Sequence, residues 1–283
     1  MGAYYETIPE SLIKWALAQK IFWVSTAPLS GNGHVNVSPK GGPYFGVPDN
    51  KTFWYIDLTG SGNETISHLL EPGNGRITIM FNAFEGPPRI LRFWGKGRVL
   101  ENGTPEFDEI VARENIDCIP GTRSVIMVDI HQVGSSCGFS VPLYDFKEFR
   151  TTLNDFFARK EEKFLQGKED ESMDRYWAFK NAWSMDGLPG MPRGLEAAKK
   201  YSVEPVKKMV GPLAPKNGGA GAGTKTELHI SYIVIAFLTL LVALLAATHP
   251  VFQYSSAQQG IQDILLQVRA MPGGSPSAVG RPD

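Results

Sequence analysis

The chain of 283 residues predicts a mainly β domain with flanking helices, a small closed barrel plugged at its ends, followed by a C-terminal transmembrane helix. Two observations predict the barrel. Short runs of β-forming residues recur through the first half of the chain, and helix signatures interrupt them at only a few places. A third observation predicts the anchor. Residues 230–247 read ISYIVIAFLTLLVALLAA, eighteen positions without a charge. At about 1.5 Å per residue such a helix spans ~27 Å, close to a hydrocarbon core. Its only polar side chains are Ser231, Tyr232 and Thr239, whose hydroxyls can bond within the bilayer. The alternative is a central helix of a larger globule.

The elements follow in order. Thr7-Ile8-Pro9-Glu10 has the form of a capping box, and a helix is expected to about Gln19 with Leu12, Trp15 and Ala16 on one face. Residues 21–25 read as a strand, Ser30–Gly33 as a turn and 34–38 as an alternating strand. Strands are expected at 53–58, 76–81, 90–100 and 125–133, with 137–141 as an additional one. Ser61–Glu64 reads as a second capping box, opening a helix with Ile66, Leu69 and Leu70 on one face. Thr104 caps a third helix with Pro105 in its first position and Phe107, Ile110 and Val111 inward.

A charged helix is expected over 146–166, then a mixed stretch in which Trp177, Phe179 and Trp183 pack back on the barrel. The organisation read from this pattern is a barrel over 1–150, a helical extension over 151–204 and a glycine-rich linker over 205–228. The membrane helix then covers 229–248 and a disordered tail 249–283, with a short amphipathic helix near 261–268.

Composition narrows the function. Charged residues are 20% and the formal net charge is −1, which is not the footprint of a nucleic-acid binder. Cys118 and Cys137 form neither a metal set nor a disulfide framework, and a reducing compartment is the simpler reading. The five histidines have no metal spacing. His68 is expected on the surface and Cys137 as a small buried thiol. Residues 1–20 contain Glu6, Glu10, Lys14 and Lys20, which break any secretory apolar region. The lysines preceding residue 230 place the N-terminal part on the cytosolic side.

Three segments carry candidate chemistry. Leu58–Thr65, LTGSGNET, leaves a strand through two glycines into a helix, with free amides and hydroxyls suited to phosphate. The alternative is an ordinary capped turn. His34–Gly41, HVNVSPKG, puts Asn36 and Ser38 on one strand face and brings Lys40 to the strand end. Pro39 requires that strand to end or to lie at an edge. The alternative is a solvated edge with a stray lysine. In Pro87–Arg98, Arg92 shares a face with Ile90 and Trp94 and needs an anionic partner, either a bound phosphate or a residue such as Asp57 or Glu85.

Together HVNVSPKG, YIDLTGSGNETISHL, RITIMFNAFEGPPRILRFWGKGRV and SCGFSVPLYDF resemble the pyridoxamine 5′-phosphate oxidase-like family, the FMN-binding split β-barrels, over roughly residues 8–160. The resemblance implies a split barrel of six to seven antiparallel strands that forms a homodimer, with FMN at the dimer interface. By position, Asn36, Ser38 and Lys40 match the segment lining the flavin. Thr59, Gly60, Ser61, Gly62 and Asn63 match the loop holding the FMN phosphate. Arg89 and Arg92 match the strand that approaches from the partner subunit. Gly62 and Asn63 stand where the oxidase proper carries an Arg-Lys pair, and its terminal Arg/His segment is missing, so pyridoxamine phosphate is not the expected substrate. The expected function is an FMN-dependent oxidoreductase tethered to a membrane, its substrate unspecified. The rivals are a non-catalytic flavin- or haem-binding module and a dimeric membrane adaptor.

Overall fold

A computed structural model describes residues 2–215, 259 and 261–263. The strands are β1 (Ala3–Tyr5), β2 (Ile21–Thr26), β3 (Asn36–Gly41), β4 (Phe45–Gly46), β5 (Thr52–Leu58), β6 (Arg76–Asn82), β7 (Ile90–Glu101) and β8 (Thr122–Ser136). The helices are α1 (Glu10–Leu17), α2 (Glu64–Leu70), α3 (Pro105–Arg113), α4 (Thr152–Leu165), α5 (Met173–Lys180) and α6 (Pro192–Lys200). All eight strands join one antiparallel sheet in the order β3-β2-β6-β7-β8-β5-β4, with β1 added on β8.

The sheet curls but does not close by backbone pairing. Its free edges are β3 and β4, which are consecutive in the chain, so the connection at Gly42–Tyr44 crosses the split. Gly42 has φ +95°, and a side chain there would also strike the Tyr44 ring. This is a half-barrel with flanking helices. Pro39 lies in edge strand β3, where a missing donor costs no ladder bond on the open side.

The interior is aromatic. Phe22, Phe53, Tyr55, Phe81 and Phe93 are essentially inaccessible, and Phe22 lies 5.4 Å from Phe53 and 5.7 Å from Phe81 between ring centroids. Edge-to-face and tilted packing of this kind adds to the burial of each ring. Leu12 and Ala16 of α1 and Ile66 and Leu69 of α2 plug the same core. Trp177 and Met191 enter it from the chain beyond the barrel. A second cluster, with Ile56, Val125 and Met127 on one side and Phe107 and Ile110 of α3 on the other, covers the outer face of β5 and β8.

Several local expectations are corrected. Neither of the first two capping boxes forms. Pro9 occupies the N-cap of α1, and Glu10 pairs with Lys14 at 2.8 Å instead of returning a bond to Thr7. Helix α2 starts from Asn63, without a side-chain cap. The Thr104 cap does form, accepting from the Phe107 amide at 3.3 Å. Residues 137–141 are not a strand, whereas the short β1 and β4 went unanticipated. His68 is fully buried, and Cys137 is an exposed free thiol. Of the expected 167–204 aromatics, Trp177 is buried but Phe179 is exposed.

Among the described residues no helix is long and apolar enough to cross a membrane. Residues 230–247, and most of the expected tail, lie outside them; residues 261–263 are helical and exposed.

Replacing Phe53 by alanine empties the centre of the aromatic core and is expected to cost about 3–5 kcal/mol. Urea unfolding checks this as a lower midpoint at unchanged slope.

Candidate functional site

The site begins with a carboxylate in an apolar place. Phe53, Tyr55 and Asp57 alternate onto the inner face of β5, so Asp57 points into the barrel and is 0% exposed. A lone carboxylate there is prohibitively costly. Two cations meet it: Arg123 Nε donates to Oδ2 at 2.7 Å and Lys40 Nζ to Oδ1 at 3.1 Å. Ser124 Oγ adds a long bond of 3.4 Å. Burial by itself would raise the Asp57 carboxyl. Arg123 and Lys40 outweigh it and hold the group down at about 2.

Lys40 comes from β3 and Asp57 from β5, on opposite sides of the split, so this ion pair bridges the gap that no ladder bonds close. The Lys40 ammonium also lies 5.5 Å over the Tyr55 ring. Arg123 reaches further, donating from Nη1 to the Gly62 carbonyl at 2.8 Å. Sequence reading did not find Arg123. It precedes the run 125–133 read as a strand, and only the β5–β8 pairing reveals what it faces.

Beside this triad lies a cavity of ≈ 390 Å³. Asn36, Ser38 and Lys40 line it from β3; Thr59, Gly60, Ser61, Gly62 and Asn63 line it from the loop; Arg123 lines it from β8. Chain folding thus brings eight of the ten sequence-selected residues together. Along β3 the alternation is as expected: Val35 and Val37 face out, 69% and 60% exposed, while Asn36, Ser38 and Lys40 are half-buried. Ser38 Oγ donates to Asn36 Oδ1, and Asn36 Nδ2 donates to Thr65 Oγ1 at 3.0 Å and to Thr26 Oγ1. Thr26 Oγ1 in turn pairs with His68 Nδ1 at 2.9 Å. Burial lowers the His68 pKa, favouring a neutral ring. Neither Gly60 nor Gly62 has a left-handed φ; a Cβ at Gly60 would meet open space, whereas one at Gly62 would strike the Glu64 carboxylate.

The other two selected residues are elsewhere. The Arg89 guanidinium sits 5.3 Å over the Trp15 ring, and Arg92 Nη1 donates to Ser136 Oγ at 3.4 Å. Neither lines the cavity within one chain, and the partner of Arg92 is neither Asp57 nor Glu85. Lys40 is likewise no free ammonium, since Asp57 already engages it.

A second cavity of ≈ 740 Å³ shares Gly41, Tyr44, Leu58 and Leu153 with the first. Phe84, Tyr144, Phe146 and Phe149 supply aromatic surface, with Lys20, Glu85 and Arg150 among its polar lining. Among the described residues no group of side chains is arranged to hold a metal ion.

An antiparallel half-barrel with a polar, cation-bearing cavity in its split defines the class. No family model matches the chain. The pyridoxamine 5′-phosphate oxidase family protein ustO of Aspergillus flavus is 40% identical over 198 residues, covering 68% of this chain and 78% of that protein. The chain belongs to the pyridoxamine 5′-phosphate oxidase family. Among solved structures, HupZ of Group A Streptococcus is 20% identical, with a TM-score of 0.34 over 44% of this chain and 92% of its own. An oxidase homologue from Lactobacillus delbrueckii is 16% identical, with a TM-score of 0.34 over 46% of this chain and 94% of its own. Scores this low do not bear on the site.

The triad makes a pH prediction. The folded Asp57 carboxyl titrates near 2 and an unfolded aspartate near 3.9, so on acidification the unfolded chain takes up the proton first. The stabilisation is complete above ~4 and is lost as pH falls through about 2, on the order of 2–3 kcal/mol. Asp57→Asn should lack this component, and at neutral pH it should be destabilised by about 3–5 kcal/mol because Arg123 and Lys40 lose their counter-charge. Urea midpoints of both proteins between pH 6 and 2 test this; parallel curves would contradict it.

Proposed function

We propose that this chain is a flavin-binding split-barrel protein that uses FMN and acts as an oxidoreductase. The observation that carries the reading is the cavity in the split, where hydroxyls, uncovered loop backbone and two cations converge. Lys40 and Arg123 against Asp57 leave one positive charge at its wall, and Glu64 in the lining is met by Lys208 at 3.7 Å. This environment fits a phosphate monoester, which needs charge-assisted donors rather than a symmetric cation cage. Ser38, Ser61 and the backbone of residues 60–63 would hold the phosphate, with Lys40 and Arg123 neutralising it.

The adjoining aromatic cavity supports placing the planar ring there, and its size is within the range of small-molecule sites. Bound flavin supplies hydride-transfer chemistry. The protein residues bind, orient and shield it; Tyr44 and Leu153 border both cavities and would separate phosphate from ring. Family membership supports the flavin.

Two further parts of the reading concern assembly and location. The exposed valines Val37 on the open edge strand β3 and Val35 just before it support a homodimer, expected by sedimentation of residues 1–222. The apolar sequence 230–247 supports a membrane tether. Leu240→Arg with Leu241→Arg should cost about 5–7 kcal/mol of insertion energy and release the protein to the high-speed supernatant.

Purified protein is expected to carry FMN, identified by mass and by a flavin spectrum. FMN should bind far more tightly than riboflavin, and Lys40→Ala should weaken FMN by about 1.5–3 kcal/mol with little change for riboflavin. Equal affinity for the two flavins would overturn the phosphate assignment. Failure of NADPH to reduce bound flavin would favour a non-catalytic carrier.

A further inference from the structure

The loop 59–63 is held from behind by a part of the chain far away in sequence. Trp177 Nε1 donates to Thr59 Oγ1 at 3.0 Å. Asn181 Nδ2 donates to the Gly60 carbonyl at 2.9 Å, and the main-chain carbonyl of Asn181 accepts from Asn63 Nδ2 at 2.8 Å. Met185 N donates to Glu64 Oε1 at 3.2 Å. Lys208 Nζ donates to Asn63 Oδ1 and lies 3.7 Å from Glu64 Oε1. Asn63, 1% exposed, thus has both ends of its amide held by this one segment.

These bonds explain why α2 has no side-chain cap. Asn63 stands at its N-cap and Glu64 is the residue a Ser61–Glu64 box would use, but both side chains bond residues 181–208 instead. Gly190 shows how closely the segment lies on the loop. A Cβ there would collide with Asn63 Nδ2 and the Asn181 carbonyl. Val206 N donates to the Phe179 carbonyl at 2.8 Å, so residues that read as flexible linker are tied down just before Lys208.

We propose that residues 177–208 form a clamp that sets the conformation of loop 59–63, with Lys208 as its key positioning residue. The proposal deepens, and in its ligand part rests on, the phosphate reading above. Loop residues 60–62 contribute no cation, so binding at their backbone depends on that backbone being pre-shaped. Lys208 does not line the cavity; it acts through Asn63 and Glu64, which do. Neutralising Glu64 also removes a carboxylate's repulsion from an incoming phosphate. The Lys208 ammonium is costly to keep in its half-buried place: burial, with the nearby cations Arg123 and Lys180, pulls it down to about 8, and only Glu64 works the other way. A stabilising surface lysine would not need such a position.

The test uses the full chain in mild detergent, as wild type, Lys208→Met, Lys208→Arg and Asn181→Ala. Amide hydrogen exchange of peptides spanning 58–66 is measured without ligand, and FMN and riboflavin affinities are measured by titration. Lys208→Met and Asn181→Ala are expected to speed exchange in this loop by about tenfold or more, leaving the β6–β7 hairpin unchanged. Lys208→Met should weaken FMN about tenfold while riboflavin is unmoved, and Lys208→Arg should restore most of both effects. Unchanged loop exchange in Lys208→Met overturns the clamp. Equal weakening of both flavins overturns its role in phosphate binding. If wild type binds neither flavin, the phosphate reading falls, and loop exchange alone decides the clamp.

Discussion

Asp57 is a carboxylate on the inner face of a barrel strand, and the geometry around the split answers to it. Burial on this scale makes an unpaired charge untenable, so the fold must deliver cations to that point. It does so from two directions, Arg123 from the neighbouring strand β8 and Lys40 from the opposite edge strand β3. The Lys40 contact spans the one place where the curled sheet has no ladder bonds. An electrostatic bond therefore takes over where hydrogen-bonded closure stops, and the opening that remains beside it is the polar cavity.

The same triad ties structure to chemistry. Arg123 touches both Asp57 and the Gly62 carbonyl, so the loop and the barrel interior share one guanidinium. Beyond the loop, Trp177, Asn181 and Lys208 hold the opposite side of that backbone. Loop 59–63 is consequently fixed from within by the barrel and from behind by the extension. Preorganised backbone of this kind binds an anion with little ordering cost. Trp177 serves twice, since its ring fills the core while its Nε1 bonds Thr59.

Much of the barrel was legible in the sequence because its strands obey period-two alternation with clear turn residues between them. Edge strand β3 announced itself through Pro39, and Asn36, Ser38 and Lys40 fell on the inward face as alternation requires. Thr104 caps α3 because its hydroxyl accepts from the Phe107 amide while donating to the nearby Glu101 carbonyl, both local contacts. The misreadings have a common cause. Glu10 found Lys14, and Asn63 and Glu64 found partners more than a hundred residues away, so local capping lost to other contacts. His68 reads as a surface residue on a short helix, yet α2 packs on β2 and β7 and buries it against Thr26. Position in a family pattern relates Arg89 and Arg92 to a site but says nothing of which side of one chain they reach, and here they meet Trp15 and Ser136.

The strand-rich class, the family and the residues of one strand face and one loop follow from residue order alone, because alternation, turn chemistry and motif order are properties of neighbours along the chain. That Asp57 already engages Lys40, that Arg123 belongs to the site and that Lys208 secures Asn63 emerges only once the chain is folded. Each of those facts is a charge meeting its partner across a large separation in sequence. Electrostatic pairing depends on distance and burial in space, and neither is written in the local order of residues.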